Sequence, residues 1–315
     1  MTAPAVSLPA LLGLSFLVAG IFTYRRDFHA ATSREAFGLV ALGPALVAAA
    51  LAAFAGEHFT AATSLAQLIP KWLPGRLFIA YFVGVAHLAA ALSFVARRYV
   101  RWSSICLAVM FALFVLLMDL PGAVAHPATR IAWSLAARET TFAMGALALF
   151  VLETRNRRSE SAKTIATLVR IWTAGVLIFY GIEHLLHPEL SPGVPATMPT
   201  AAWVPLPLTI AYATGSLLIA FGIAMFVEKY GSIGAALCGF LMLVLTLALY
   251  VPQFFLAHST AEQVNAINFI FDTLLFAGTM FVISRAVGET LSLVANEIRA
   301  TEPVRSEHSG VPAHD

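Results

Sequence analysis

Two stretches of this chain leave the backbone few choices. Ala36 to Gly56 is 21 residues without a charge, and Leu77 to Ala96 is 20 in which His87 is the one strongly polar side chain. A helix needs about 20 apolar residues to cross a hydrocarbon layer of about 30 Å. In lipid each backbone N–H and C=O must find an internal partner, which leaves helices or closed barrels. Barrel strands alternate in polarity and these runs do not. Composition agrees: 59% of residues are hydrophobic, 11% are charged, and the mean hydropathy is +0.83. The expected fold class is therefore all-α, a polytopic transmembrane helical protein in a lipid bilayer. A net charge of +2 gives no electrostatic footprint for nucleic acid.

Nine apolar segments follow, at about 7–24, 35–56, 77–96, 103–120, 131–152, 164–187, 205–227, 232–251 and 264–286. The first is uncharged and followed by Arg25-Arg26, the reverse of a secretory signal, so it reads as a retained, somewhat short membrane helix. Pro44 predicts a kink near the middle of the second. The tail from about 290 is polar, with Pro303, Gly310 and Pro312, and reads as disordered beyond the end of the last helix.

The remaining eight segments fall into two sets of four, and the sets echo each other. Gly56-Glu57-His58 recurs as Gly181-Ile182-Glu183-His184. Tyr81 and Gly84 recur as Tyr212 and Gly215, Pro121 as Pro252, and Glu139-Thr140 with Gly145 as Asp272-Thr273 with Gly278. A nearly constant offset marks a duplicated unit. The expected division is 1–30 for an N-terminal membrane helix, 31–158 and 159–290 for two four-helix repeats, and 291–315 for a polar tail. Four spans return the chain to the side it left, so the repeats are expected to be parallel, related by an axis along the membrane normal.

Basic residues give the orientation. With the N-terminus outside, 15 of the 19 lysines and arginines fall on the inner side, counting Arg170 and Arg285 as inner-end residues, and the outer segments keep Lys71, Arg76, Arg130 and Arg138. By the positive-inside rule this predicts a bacterial inner-membrane protein with a periplasmic N-terminus, a cytoplasmic C-terminus and both Glu-His motifs at the outer face. After each motif comes a segment with a tryptophan among prolines, Trp72 or Trp203, suited to the membrane interface.

Ionisable groups in lipid usually face the bundle interior, and they concentrate at mid-membrane and in the outer half. In the first set these are Glu57, His58, His87, Asp119, Arg138 and Glu139. In the second they are Glu183, His184 and His187, with Tyr250, Gln253, Asn268 and Asp272. The candidate catalytic residues are Glu57, His58, Glu139, Glu183, His184 and Asp272. The candidate ligand-binding residues are Tyr81, His87, Asp119, Arg138, His187, Tyr212 and Asn268. Asn265, Asn268 and Asp272 share a helix face, as do Glu183 and His187. Arg138 and Glu139 point about 100° apart and are expected to pair with other helices, Glu139 with His58 and, in the second set, Asp272 with His184. All of these equally suit interhelical glue. His87 has Leu218 as its counterpart, so the second site is less ionic. Cys106 and Cys238 lie in apolar runs with no CxxC pair, which argues packing rather than thiol chemistry. Carboxylates with imidazoles suit zinc or iron, but no helix carries the paired spacing of bundle metal sites, and none is assigned.

Gly56-Glu57-His58-Phe59, Ile69-Pro70-Lys71-Trp72-Leu73-Pro74 and Tyr81-Phe82-Val83-Gly84-Val85-Ala86-His87 together resemble the DoxX-like family of small bacterial membrane proteins. The resemblance covers about 31–152 well and 161–287 loosely. His87 stands where the family has an acidic residue. The resemblance implies four-helix units; the family's name comes from a subunit of an archaeal thiosulfate:quinone oxidoreductase. It points to quinone- or thiol-linked redox metabolism, with a quinone as ligand and an oxidoreductase subunit as partner. A proton-coupled solute transporter and a structural or assembly protein are the alternatives, and the sequence assigns no catalysis.

Overall fold

The computed structural model describes residues 4–32, 38–154 and 159–301, with side chains described to residue 290 and at 292. The expectations for Arg34, for Arg155, Arg157 and Arg158, and for the tail beyond 301 fall outside these residues. Within them the protein is all-α and multi-pass. Nine helices are long and apolar enough to cross a membrane: Pro4–Thr32, Gly38–Thr60, Arg76–Ala96, Val100–Ala125, Arg130–Leu152, Glu160–Leu186, Pro207–Phe226, Glu228–Leu256 and Thr260–Thr290.

Several spans are interrupted. The helices are α1 (Pro4–Thr32), α2 (Gly43–Thr60), α3 (Ala62–Leu68), α4 (Arg76–Ala96), α5 (Val100–Phe114), α6 (Leu120–Ala125), α7 (Arg130–Leu152), α8 (Glu160–Leu186), α9 (Pro207–Phe226), α10 (Gly231–Leu245), α11 (Val251–Leu256) and α12 (Thr260–Thr301). A π-helical turn joins α5 to α6 at Val115–Asp119, and another joins α10 to α11 at Thr246–Tyr250. Each leads into a proline, Pro121 or Pro252, whose missing N–H leaves one helical hydrogen bond unmade, a gap that falls where the wider π-helical turn already interrupts the regular ladder.

Three expectations are corrected. α1 has 29 residues, not a short span, because Arg25, Arg26 and Asp27 continue the helix and Asp27 accepts from Arg97 at 2.8 Å. Pro44 does not kink the middle of a helix. It sits in the first turn of α2, after a 3-10 turn at Gly38–Leu42, where its fixed φ suits a helix start. The last helix runs to Thr301 rather than ending near 290.

Helices α7 and α12 pack against each other at the centre. α2 packs on α12 and on α4, while α8 packs on α7 and on α9; α5 lies against α7 and α10 against α12. α1 lies along α2 and reaches α12. Small residues permit these approaches. A Cβ on Gly278 would stand 2.8 Å from the Val47 nitrogen and 2.9 Å from the Gly43 oxygen, so α12 and α2 touch backbone to backbone. The polar side chains of the next section lie between the middle of the bundle and one end. At the other, arginines close the fold: Arg170 Nη1 donates to Met225 O and Phe226 O at 2.8 Å, and the Tyr24 hydroxyl donates to Phe94 O at 2.9 Å. That half is packed by Phe94, Leu107, Leu149, Met225 and Phe281, with a void of about 10 Å³ near Val47 and Phe142.

Candidate functional site

The two histidines that echo in sequence are held alike. His58 Nδ1 lies 2.8 Å from Phe54 O, and His184 Nδ1 lies 2.7 Å from Tyr180 O, each four residues back on its own helix. A carbonyl only accepts, so each Nδ1 carries the proton and each Nε2 is left as an acceptor. The Cβ of each histidine is pressed onto a glycine of the following long helix. A Cβ at Gly84 would stand 2.7 Å from His58 Cβ, and one at Gly215 would stand 3.0 Å from His184 Cβ. The recurring glycines are close-approach positions.

The neighbouring acids reach across the bundle. Glu57 on α2 accepts from Asn268 Nδ2 on α12 at 3.1 Å. Glu183 on α8 accepts from Ser134 Oγ on α7 at 2.5 Å, with Arg130 Nη1 at 3.4 Å. Between them Arg138 binds Asp272 on α12 at 2.9 Å and Glu139 at 2.8 Å. One guanidinium thus serves two carboxylates, using the fork geometry that a lysine lacks.

These contacts differ from the pairings expected. Glu139 pairs with Arg138 rather than His58, and Asp272 pairs with Arg138 rather than His184. The 100° offset between adjacent residues does not separate Arg138 from Glu139, because the long arginine folds back to reach its neighbour. Glu183 and His187 do not act together: Glu183 points inward, while His187 ends α8 and meets Glu189 at 3.3 Å. Asn265, Asn268 and Asp272 share a face but have separate partners, Met198, Glu57 and Arg138. Tyr81 and Tyr212 are each about half exposed, at 45% and 46%, and make none of these hydrogen bonds.

The halves diverge around the histidines. His184 Nε2 accepts from the Gly193 N–H at 3.1 Å. For His58 Nε2 there is no hydrogen-bond partner among the described residues. Its neighbour is His87, ring edge to ring at a centroid distance of 5.3 Å. His87 is 3% exposed, lies beside Phe54 and Phe111, and has no partner for either ring nitrogen. Glu57 Oε1, Asp119 Oδ2 and Glu139 Oε2 are likewise buried without partners. Each such group costs about 1–3 kcal/mol when left unpaired. They gather on α2, α4, the first π-helical turn and α7.

Four participants were not singled out from sequence: Arg130, Ser134, Tyr180 and Gly193. Arg130, Ser134 and Arg138 recur at four-residue spacing, a polar stripe on one face of α7 that helical periodicity could have revealed. Tyr180 donates to Ser134 O at 2.6 Å, which ties α8 to that stripe. Among the described residues no three His, Cys, Asp or Glu side chains are grouped to hold a metal ion.

A family described as a domain of unknown function (DUF8561) matches residues 47–118. The match spans α2 to the first π-helical turn and includes Glu57, His58 and His87. It carries no activity, and it does not extend to the rest of the chain. No curated protein and no solved structure matches.

Proposed function

We propose that the chain is two parallel four-helix units of the DoxX-like kind behind an extra N-terminal helix, with the Glu-His end on the outer side of a bacterial inner membrane. The paired packing supports this: α2 lies on α12 as α8 lies on α7, and both third spans break into a π-helical turn before a proline. Within that architecture the first unit is a headgroup site for a quinone, and the protein is an accessory of an oxidoreductase partner.

The observation that carries the reading is His87, a buried imidazole with no partner at either nitrogen, its ring centroid 5.3 Å from that of His58, whose Nε2 is left to accept. A buried polar group without a partner asks for one, and the two neighbouring imidazoles supply a donor and acceptors side by side. A quinone carbonyl accepts from the His87 N–H, and a hydroquinone hydroxyl donates to His58 Nε2. Quinone reduction consumes two electrons and two protons. The partner supplies the electrons, and the imidazoles and carboxylates pass the protons.

His87→Leu tests this, because the second half carries Leu218 at the matching place. The substitution removes an unpartnered group, so thermal stability holds or rises by about 1 kcal/mol. Binding of a short-chain quinone, read by calorimetry on the detergent-solubilised protein, falls at least tenfold. Unchanged binding, or no quinone binding by the native protein, sinks the reading. The cross-unit pairs Glu57–Asn268 and Glu183–Ser134 favour a second, structural reading, in which the polar groups only join the units. Proton-coupled transport needs a polar path past Phe94, Leu107, Leu149 and Phe281, where the packing is apolar.

A further inference from the structure

The loop between α8 and α9 does something its counterpart between α2 and α4 does not. Residues 191–196, Ser-Pro-Gly-Val-Pro-Ala, are all buried. Their backbone, rather than their side chains, is what the surroundings bind. The peptide group joining Pro192 to Gly193 is held at both ends: its C=O accepts from the Tyr250 hydroxyl at 2.8 Å, and its N–H donates to His184 Nε2 at 3.1 Å. Farther along, Ala196 O accepts from Arg130 Nη2 at 3.0 Å. Glycine is required at the clamp, since a Cβ on Gly193 would stand 2.5 Å from the Tyr250 oxygen. A loop packed only by side chains would not need two polar groups aimed at a single amide.

The first half carries matching positions without such a segment. Asp119 ends its π-helical turn where Tyr250 ends the other, and His58 is fixed as His184 is. The chain from 61 to 75 forms α3 and a turn, and no hydrogen bond among the described residues runs from it to His58, His87 or Asp119. In this half both His87 nitrogens, Glu57 Oε1, Asp119 Oδ2 and Glu139 Oε2 are buried without hydrogen-bond partners; in the second half Thr173, Thr200 and Glu183 Oε1 also lack one, but His184 does not.

We propose that residues 191–196 are an internal ligand, seated on the second unit's His184 in the place where the first unit's His58 takes an external one. The protein then binds one ligand molecule per chain, in the first unit. That ligand presents an O–H or N–H to His58 Nε2, as the Gly193 amide does to His184. The proposal rests on reading the two Glu-His motifs as equivalent sites.

Two measurements test it. In a chain carrying Cys106→Ser and Cys238→Ala, single cysteines are placed at Val194 (1% exposed) and at the exposed Gln67 of the other loop. A soluble maleimide labels Val194→Cys at least tenfold more slowly than Gln67→Cys, and adding Gly193→Ala narrows the gap. Equal rates in the parent overturn the internal ligand. The second measurement is calorimetry with a short-chain hydroquinone, its quinone and its dimethyl ether on the full chain. The expected result is one site per chain, with the ether, which lacks both donors, binding at least tenfold more weakly than the hydroquinone. Two sites, or an ether bound as tightly, overturn the proposal. If none of the three binds, the headgroup reading and the external ligand fall, and the labelling rates alone decide the seated segment.

Discussion

Arg138 is the residue on which the polar end depends. It lies between Glu139 and Asp272, with side-chain exposures of 21%, 13% and 5%. Ion pairs buried this far return little net stability, since desolvation offsets attraction, but breaking one is costly. Arg138→Leu leaves two buried carboxylates without a counter-charge, and the expected loss is about 3–5 kcal/mol, read as a fall in the unfolding midpoint in detergent. Arg138→Lys recovers only part, because an ammonium cannot fork between two carboxylates. Adding Asp272→Leu and Glu139→Leu to Arg138→Leu restores most of the stability. A triple variant no better than the single one would show that the cost lies in packing.

At the level of helices, stability comes from close approach. Gly278 on α12 sits against the backbone of α2, and Gly145 on α7 sits against Thr279, where a Cβ would stand 2.5 Å from Cγ2. Gly278→Val must push α12 off α2, at a cost of about 1–3 kcal/mol, and should loosen Glu57 from Asn268. Hydrogen exchange at the end of α2 would rise; unchanged protection would refute the coupling. These glycines were legible in sequence as an echo, because close packing constrains a residue type in place. The spans were legible because hydrophobic length is a one-dimensional property. The pairings were not. Whether Glu139 turns to His58 on α2 or stays with its neighbour Arg138 depends on the rotation of helices distant in the chain, which composition does not record. The buried course of residues 191–196 was hidden for a related reason. Serine, proline and glycine mark an exposed loop in most settings, and only the third dimension supplies Tyr250 and His184 as partners.

For the whole molecule, the testable matter is which end faces which compartment. If the arginine distribution sets the insertion, Gln67→Cys is labelled by an impermeant maleimide from the periplasmic side, while Tyr99→Cys, 73% exposed between α4 and α5, reacts only after the membrane is opened. The reverse pattern would invert the reading and move the Glu-His end to the cytoplasm.

The arginine at the centre of the bundle also bears on stoichiometry. If α7 and α12 are matching helices, Glu139 and Asp272 are matching acids, yet one guanidinium pairs with both. Two identical four-helix chains meeting about the same axis would bring either two such cations, crowded and mutually repelling, or none, leaving two acids to share a proton. Joining unlike halves in one polypeptide fixes the ratio at one arginine for two acids in every molecule made. The covalent link between the halves is thus a way of counting charge.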